Sequence, residues 1–467
     1  MSVKRTDIVI VACLAFLLGV FISRYTNLVL LFSLLGVFSY LVVTNRGFRN
    51  LVTVMFLALA LGNERGVLQD NGIKILRSYF GQKITVYVTS LDDAEYDDRG
   101  QLAFNADHIS VNGQDLPGQM AVSGFGEFSV LRGDRVEVYG KLYPARGANQ
   151  ARISFANLDT VKKDVTWYNN LRRRFVKKLR DNLPEPLSSF AAGLLIGQRS
   201  TIPDQIITDL RVSGLAHIIA VSGYNLTIIV RAVMVMLKKI SRYQKLILSL
   251  SVIVLFLLIT GFSASIVRAG IVSVLSLLAW YYGRSFRPAV LLSLSAAITV
   301  VFRPEYVWGD VGWYLSFLAF VGVMIVSPAI KMRFFAKKEL KLLGKTMLET
   351  GAVLLMVVPY SLYIFGTLSF IALPANMIIV PFIPLAMALS AIASILPYQL
   401  AILAYPANLI LDGILSVTHL LASVPKASVE FKIELVHMLI IYVCISLVLT
   451  AMWHGTKNRQ AIRDLLQ

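Results

Sequence analysis

The sequence predicts a polytopic α-helical membrane protein of about 11–12 spans, with an inserted extracytoplasmic small β-barrel domain of OB-like type. Three observations carry that prediction. The 467 residues are 56 % apolar and only 15 % charged, with positive mean hydropathy, far more oil than a soluble core requires. Helix-length apolar runs recur along the chain and are interrupted once, over residues 74–163, by short alternating segments rich in Gly, Asp and Asn. Lysine and arginine crowd into every second link between the runs. The resulting domain plan is 1–70, N-terminal membrane segments; 71–165, the β domain; 166–186, a basic linker helix; 187–455, a membrane domain; and 456–467, a cytoplasmic tail.

Residues 8–22, 28–43 and 51–62 supply the first apolar runs. Lys4 and Arg5 ahead of the first resemble the start of a signal peptide, but no small-residue cleavage pattern follows, so an uncleaved anchor is expected. Between 74 and 163 the segments KITVYVTS, QLAFNADHISVNG, QMAVSG, DRVEVYGKLY and ARISFANLDTV make five strands, the number in an OB barrel. Such barrels hold single strands by stacking bases on aromatic rings above a cationic groove, at about 1–3 kcal/mol per base. Phe104, Phe128, Tyr139, Phe155, Arg135, Lys141 and Arg152 are the candidates. Acidic and basic residues nearly balance here, so any contact with a polyanion is confined to one face.

The stretch WYNNLRRRFVKKLRDNLP sets Leu171, Phe175, Val176 and Leu179 in one stripe among Arg172, Arg173, Arg174, Lys177, Lys178 and Arg180. That is the pattern of a helix lying on a membrane surface, with DNA phosphates or a solvated linker as alternatives. Beyond it, spans are expected near 214–237, 246–261, 265–282, 289–302, 311–330, 347–365, 368–396, 400–424 and 435–453. Residues 187–196 are too short to cross and read as a re-entrant or interfacial helix.

With the N-terminus inside, the cytoplasmic links hold most of the cations, among them Lys238, Lys239, Arg242, Lys245, Lys331, Arg333, Lys337, Lys338, Lys341 and Lys345. The short outer links hold only Arg24, Arg303, Lys426 and Lys432, which places the β domain outside. Much of the net charge of +18 is thereby explained by topology, without a nucleic-acid partner.

Residues 193–230 break the pattern of a lipid-facing helix. His217, Ser222, Gly223, Tyr224 and Asn225 form a polar string inside an apolar stretch, preceded by Asp204 and Asp209. Polar groups persist at membrane depth where they face protein or water, so this helix is expected to line a wet path. Arg268, flanked by Gly261, Ser263, Ser265 and Gly270, is a second candidate, able to escort a phosphate or to pair with Asp310, Glu349 or Asp412. Pro359, Pro374, Pro381, Pro384 and Pro397, with Asn376 among them, interrupt the later runs as in broken transporter helices, or as tolerated kinks. Gly312, Trp313, Tyr314 and Ser316 offer an aromatic face to bases, or pack in the bundle.

The 193–230 stretch resembles the core motif of the ComEC family of competence proteins. The blocks TGFSASIVRAG, DVGWYLSFLAFVG, PYSLYIFGTLS and PANMIIVPFIP follow in that family's order, and RGDRVEVYGKL is similar to its extracytoplasmic barrel signature. The family usually has Leu-His where this chain has Tyr224 and Asn225, so no imidazole stands there to carry a proton. The resemblance implies an inner-membrane channel that takes in single-stranded DNA during natural transformation. His217, Ser222, Gly223, Tyr224, Asn225, Arg268, Asp310 and Asn376 would line the DNA path, and Phe104, Arg135, Tyr139, Lys141 and Arg152 would contact DNA on the β domain. It further implies membrane lipids, a DNA receptor, a separate nuclease and a cytoplasmic helicase as partners. The form expected lacks the C-terminal metallo-β-lactamase-like domain that many relatives carry.

Competing chemistries find little support. Five histidines without HxH or HExxH spacing, and two cysteines in apolar runs, predict no metal and no cofactor. Gly344-Lys345-Thr346 has the tail of a P-loop, but Glu339 stands where the first glycine belongs. Val221-Ser222-Gly223 with His419 or His437 is a distant likeness of a rhomboid-type Ser–His dyad. A transporter rather than an enzyme is expected, with a permease for a small anion or a lipid-linked substrate as the alternative.

Overall fold

The computed structural model describes all residues except 1–3, 44, 98, 146, 148, 220–222, 237–239, 285–286, 336–340 and 456–467. Ser222 and the expected tail at 456–467 therefore lie outside the described residues. The chain begins with α1 (Arg5–Ser23), α2 (Val29–Val42) and α3 (Arg46–Arg77). Strands β1 (Lys83–Ser90), β2 (Glu95–Tyr96), β3 (Leu102–Val111), β4 (Gln114–Leu116), β5 (Met120–Phe125), β6 (Arg135–Pro144) and β7 (Ala151–Lys162) follow. Then come α4 (Trp167–Asn182), α5 (Leu187–Ile196), α6 (Asp204–Val212), α7 (Gly223–Met236), α8 (Arg242–Thr260), α9 (Ala264–Tyr281) and α10 (Pro288–Phe302). Helix α11 (Val311–Val321) runs through a π turn at Gly322–Val326 into α12 (Ser327–Phe334). The remainder is α13 (Leu342–Phe365), β8 (Thr367–Ser369), α14 (Ala372–Ile379), α15 (Ile383–Ala393), α16 (Tyr405–Ala422), β9 (Ser428–Glu430) and α17 (Leu435–Gly455).

Among the described residues eight helices are long and apolar enough to cross a membrane, and five shorter apolar helices accompany them. The protein is a multi-pass helical membrane protein. One of the eight, Ala372–Ala393, lies within the expected 368–396 span and is made of two helices. There α14 ends in a 3-10 turn at Val380–Phe382 before α15 resumes. The dismissed P-loop tail is helical, inside α13, with Lys345 3.8 Å from Glu349.

The chain divides into two compact units. One joins Met1–Asn169 to Ala289–Trp313, and the other joins Asn170–Pro288 to Tyr314–Gln467. The linear plan gave residues 289–313 to the second domain, whereas their contacts group them with the first. Long-range bonds explain why. Arg65 donates to the carbonyls of Val301 (2.9 Å) and Phe302 (3.3 Å), Gln69 donates to Glu305, and Trp308 donates to the Val20 carbonyl.

In the first unit β1 pairs antiparallel with β6 and β3, β6 with β7, and β3 with β5, while β5 and β7 run parallel. The pairing path through this mixed sheet thus returns to its first strand. Alternation puts Val86, Val88, Met120, Val122, Val136, Val138 and Ile153 in one core and the polar residues outside. Phe104 is 6 % exposed and belongs to that core, so its expected role as a base-stacking surface is corrected: β3 turns this ring inward. Arg303 Nη2 holds Asp107 Oδ2 of β3 at 2.8 Å, fastening the 303–310 segment to the sheet.

In the second unit every residue of α5 is buried, giving the short helix a place inside protein instead of lipid. It shares a core with α15, α16 and the apolar side of α4, where Val176, Leu179 and Leu183 are buried. Protein thus covers Val176 and Leu179 of the stripe expected to rest on lipid, while Leu171 stays exposed. Strands β8 and β9 pair antiparallel, with Leu368 opposite Val429.

Candidate functional site

The polar string of residues 193–230 straddles an interruption in the helix rather than lying inside one. Helix α6 ends at Val212, Gly214 takes a left-handed φ of 72°, and α7 starts only at Gly223. A side chain on Gly214 would come within 2.6 Å of the Ala372 methyl, so both conformation and space call for glycine. His217 sits in the turn between the two helices, exposed, with its ring hydrogen-bonded to the Gly214 backbone. Ser222 and the Tyr224 side chain lie outside the described residues.

Two expected path residues are spent on packing. Asn225 is 2 % exposed, and its Nδ2 donates to the Leu194 carbonyl at 2.9 Å, tying α7 to buried α5. Asn376 is 6 % exposed and donates to the Ala372 carbonyl one turn back at 2.7 Å. Both readings as path-lining groups are corrected: the two amides are buried and turned to main-chain carbonyls. Asp310 caps α11, accepting from the Trp313 N–H at 2.5 Å, while burial raises its carboxyl above the ordinary range. Trp313 is itself buried, donating through Nε1 to Thr299 Oγ1 at 3.0 Å, which favours bundle packing over base stacking.

Arg268 is the group the fold leaves poised. Its guanidinium carbon lies 5.2 Å from the Phe320 ring centroid and 5.7 Å from that of Phe317, both on α11. A methyl on Gly223 would stand 3.0 Å from Nη2 and 2.9 Å from the Ala269 methyl, so this glycine admits the cation against the start of α7. Arg268 Nε is buried without a hydrogen-bond partner among the described residues. None of the anticipated carboxylates serves it: Asp310 caps a helix, Glu349 meets Lys345, and Asp412 is exposed. Holding an arginine at membrane depth costs about 2.5–3.5 kcal/mol, and two aromatic faces return about 2 kcal/mol when dry. The balance leaves a cation ready for an anion. The two phenylalanines were not singled out from sequence, though their i, i+3 spacing within DVGWYLSFLAFVG places them on one helical face. Ser265 and Ser316 meet at 3.2 Å beside them.

On the β domain, cations and aromatics alternate along the outward side of β6 and β7. Arg135 lies over Tyr87, and Lys141 and Arg152 lie over Tyr143, each ring centroid 5.6–6.0 Å away. Tyr139 is half exposed between them, and Phe155 and Phe128 are exposed. Glu137 holds the Tyr87 phenol above its ordinary pKa and gives this face some negative charge.

Taken together, these features define a multi-pass membrane protein with a mixed β domain and a half-buried, aromatic-flanked cation in its helical unit. A family model described as competence protein matches residues 194–456, more than half of the chain, and the chain belongs to that family, of the ComEC kind. It is also similar to ComE operon protein 3 of Bacillus subtilis (strain 168), with 24 % identity over 234 residues, covering 50 % of this chain and 29 % of that protein. The match thus takes in less than a third of the relative's length. No solved structure matches.

Proposed function

We propose that this protein is a channel that passes single-stranded DNA across the bacterial inner membrane during transformation, within the role in competence and DNA uptake that its family carries. The observation behind the channel reading is Arg268, set against Phe317 and Phe320, with its Nε buried and without a hydrogen-bond partner among the described residues. A guanidinium so placed suits a phosphodiester, and the rings suit flanking bases.

In this reading the β domain is an OB-type barrel outside the membrane, with both termini cytoplasmic. Support comes from the pairing path that returns to β1 and from the parallel β5–β7 pair among antiparallel neighbours. Arg135, Tyr139, Lys141 and Arg152 would engage the strand there. A receptor, a nuclease and a helicase acting as separate partners would deliver, trim and pull it, and the chain itself would transport rather than catalyse.

The test is uptake of strand-labelled DNA by cells carrying Arg268→Ala or a deletion. Label should fail to reach the cytosol in the deletion strain; normal label and normal transformant numbers there would defeat the reading. A small-anion permease would instead show anion flux lost with DNA uptake intact.

A further inference from the structure

A line of aromatic rings on α11 and α13 leads to Arg268, and every residue in it belongs to the second unit. The two helices touch where a methyl on Gly322 would come within 2.8 Å of the Ala352 carbonyl oxygen. Eight residues back from Gly322 stands Tyr314, and eight residues on from Ala352 stands Tyr360, their ring centroids 5.4 Å apart. The helices therefore run antiparallel here. Tyr363, one turn further along α13, continues the line 6.5 Å from Tyr360. In the other direction Tyr314, Phe317 and Phe320 follow at three-residue steps along α11, each beside the next. The last two rings flank the Arg268 guanidinium.

The line is graded in depth. Tyr363 lies two residues from the end of the candidate span Gly344–Phe365, Tyr314 three residues from the start of Val311–Phe334, and Phe320 nine. At about 1.5 Å per residue, the rings reach about 14 Å into a hydrocarbon layer of about 30 Å. Tyr314, Tyr360 and Tyr363 are half-buried, and the cluster of Leu362, Ile433 and Met438 supports the two on α13 from one side. Tilts of 40° and 45° keep neighbouring rings from stacking on each other, which leaves ring faces for a third group to meet. Phenol groups and the Ser265–Ser316 pair, 3.2 Å apart, are polar groups at this depth, where hydrocarbon offers them no partner. We propose that these rings form a stacking ladder for the bases of the moving single strand, with Tyr363 at its mouth and Arg268 holding a backbone phosphate at its inner end. The ladder rests on the function proposed above. Every base has a π face, so stacking of this kind holds a strand without reading its sequence.

The test uses the full-length protein in cells taking up DNA whose internalised strand carries iododeoxyuridine and ends in a biotin–streptavidin block that halts it in transit. Irradiation joins iodouracil to rings stacked on it, and mass spectrometry of the digested protein should place adducts on Tyr314, Tyr360 or Tyr363. Absence of adducts from all three overturns the ladder. Tyr314→Leu with Tyr360→Leu keeps bulk, removes the rings, and should cut uptake at least about tenfold. Tyr314→Phe with Tyr360→Phe should restore it, because the ring and not the hydroxyl meets the base. Unchanged uptake in the leucine variant overturns the proposal, as does an equal loss in the phenylalanine variant. Should the leucine variant fail to accumulate by immunoblot, the adduct map of the unsubstituted protein decides alone. Normal uptake in a deletion strain defeats the underlying DNA reading, whereas uptake lost on deletion but normal in the leucine variant defeats only the ladder.

Discussion

Arg268 concentrates the residue-scale argument because its neighbours decide what its charge can do. Replacing it with alanine is expected to lower DNA uptake by about 10- to 100-fold, the range for losing one charge-assisted contact of about 1.5–3 kcal/mol, with unchanged protein in the membrane by immunoblot. Lysine should restore only part of the activity, since it lacks the planar face that rests on Phe317 and Phe320. Gly223→Ala should cost about 1–3 kcal/mol, because its methyl meets Ala269 and Arg268 at 2.9 and 3.0 Å. A lower melting temperature in detergent checks it. In the other unit Glu305 is 3 % exposed, and burial raises its carboxyl pKa. A raised carboxyl means the folded state binds its proton more tightly than the unfolded chain, so the contribution to stability is present at low pH. It is lost as pH climbs from the ordinary carboxylate value near about 4 through the raised one. Melts at about pH 5 and 7 should show this slope, and Glu305→Gln should flatten it, leaving the same-signed share of Asp310.

At the scale of elements, sequence and structure agree best where periodicity and burial demand the same thing. The five long strands and the short helix at Leu187–Ile196 were legible because alternation and apolar runs translate directly into facing and length. Individual facings were less legible. Phe104 reads as a surface aromatic only until register turns β3's ring inward, and Asn225 and Asn376 read as path-lining until their amides are seen bonded to carbonyls. The outward cations and rings of β6 and β7 carry their own prediction. Arg135→Ala with Tyr139→Ala in purified full-length protein should weaken binding of labelled single-stranded oligonucleotide about tenfold and flatten its salt dependence. Fluorescence anisotropy against salt reads both.

For the whole molecule, composition settles more than charge does. The proposed topology accounts for much of the excess of lysine and arginine without reference to any cargo. Alkaline phosphatase fused after residue 165 should be active and fused after residue 284 inactive, with the reverse result overturning the proposed sidedness of the β domain. The apolar runs, the strand-rich insertion and the family likeness were all determined by sequence alone, because each depends on local order along the chain. Tertiary structure decided what stands beside Arg268, which asparagines are consumed by packing, and that residues 289–313 belong with the first unit. Those outcomes depend on contacts between residues far apart in the chain, and no local pattern encodes which distant carbonyl, ring or carboxylate a side chain will meet.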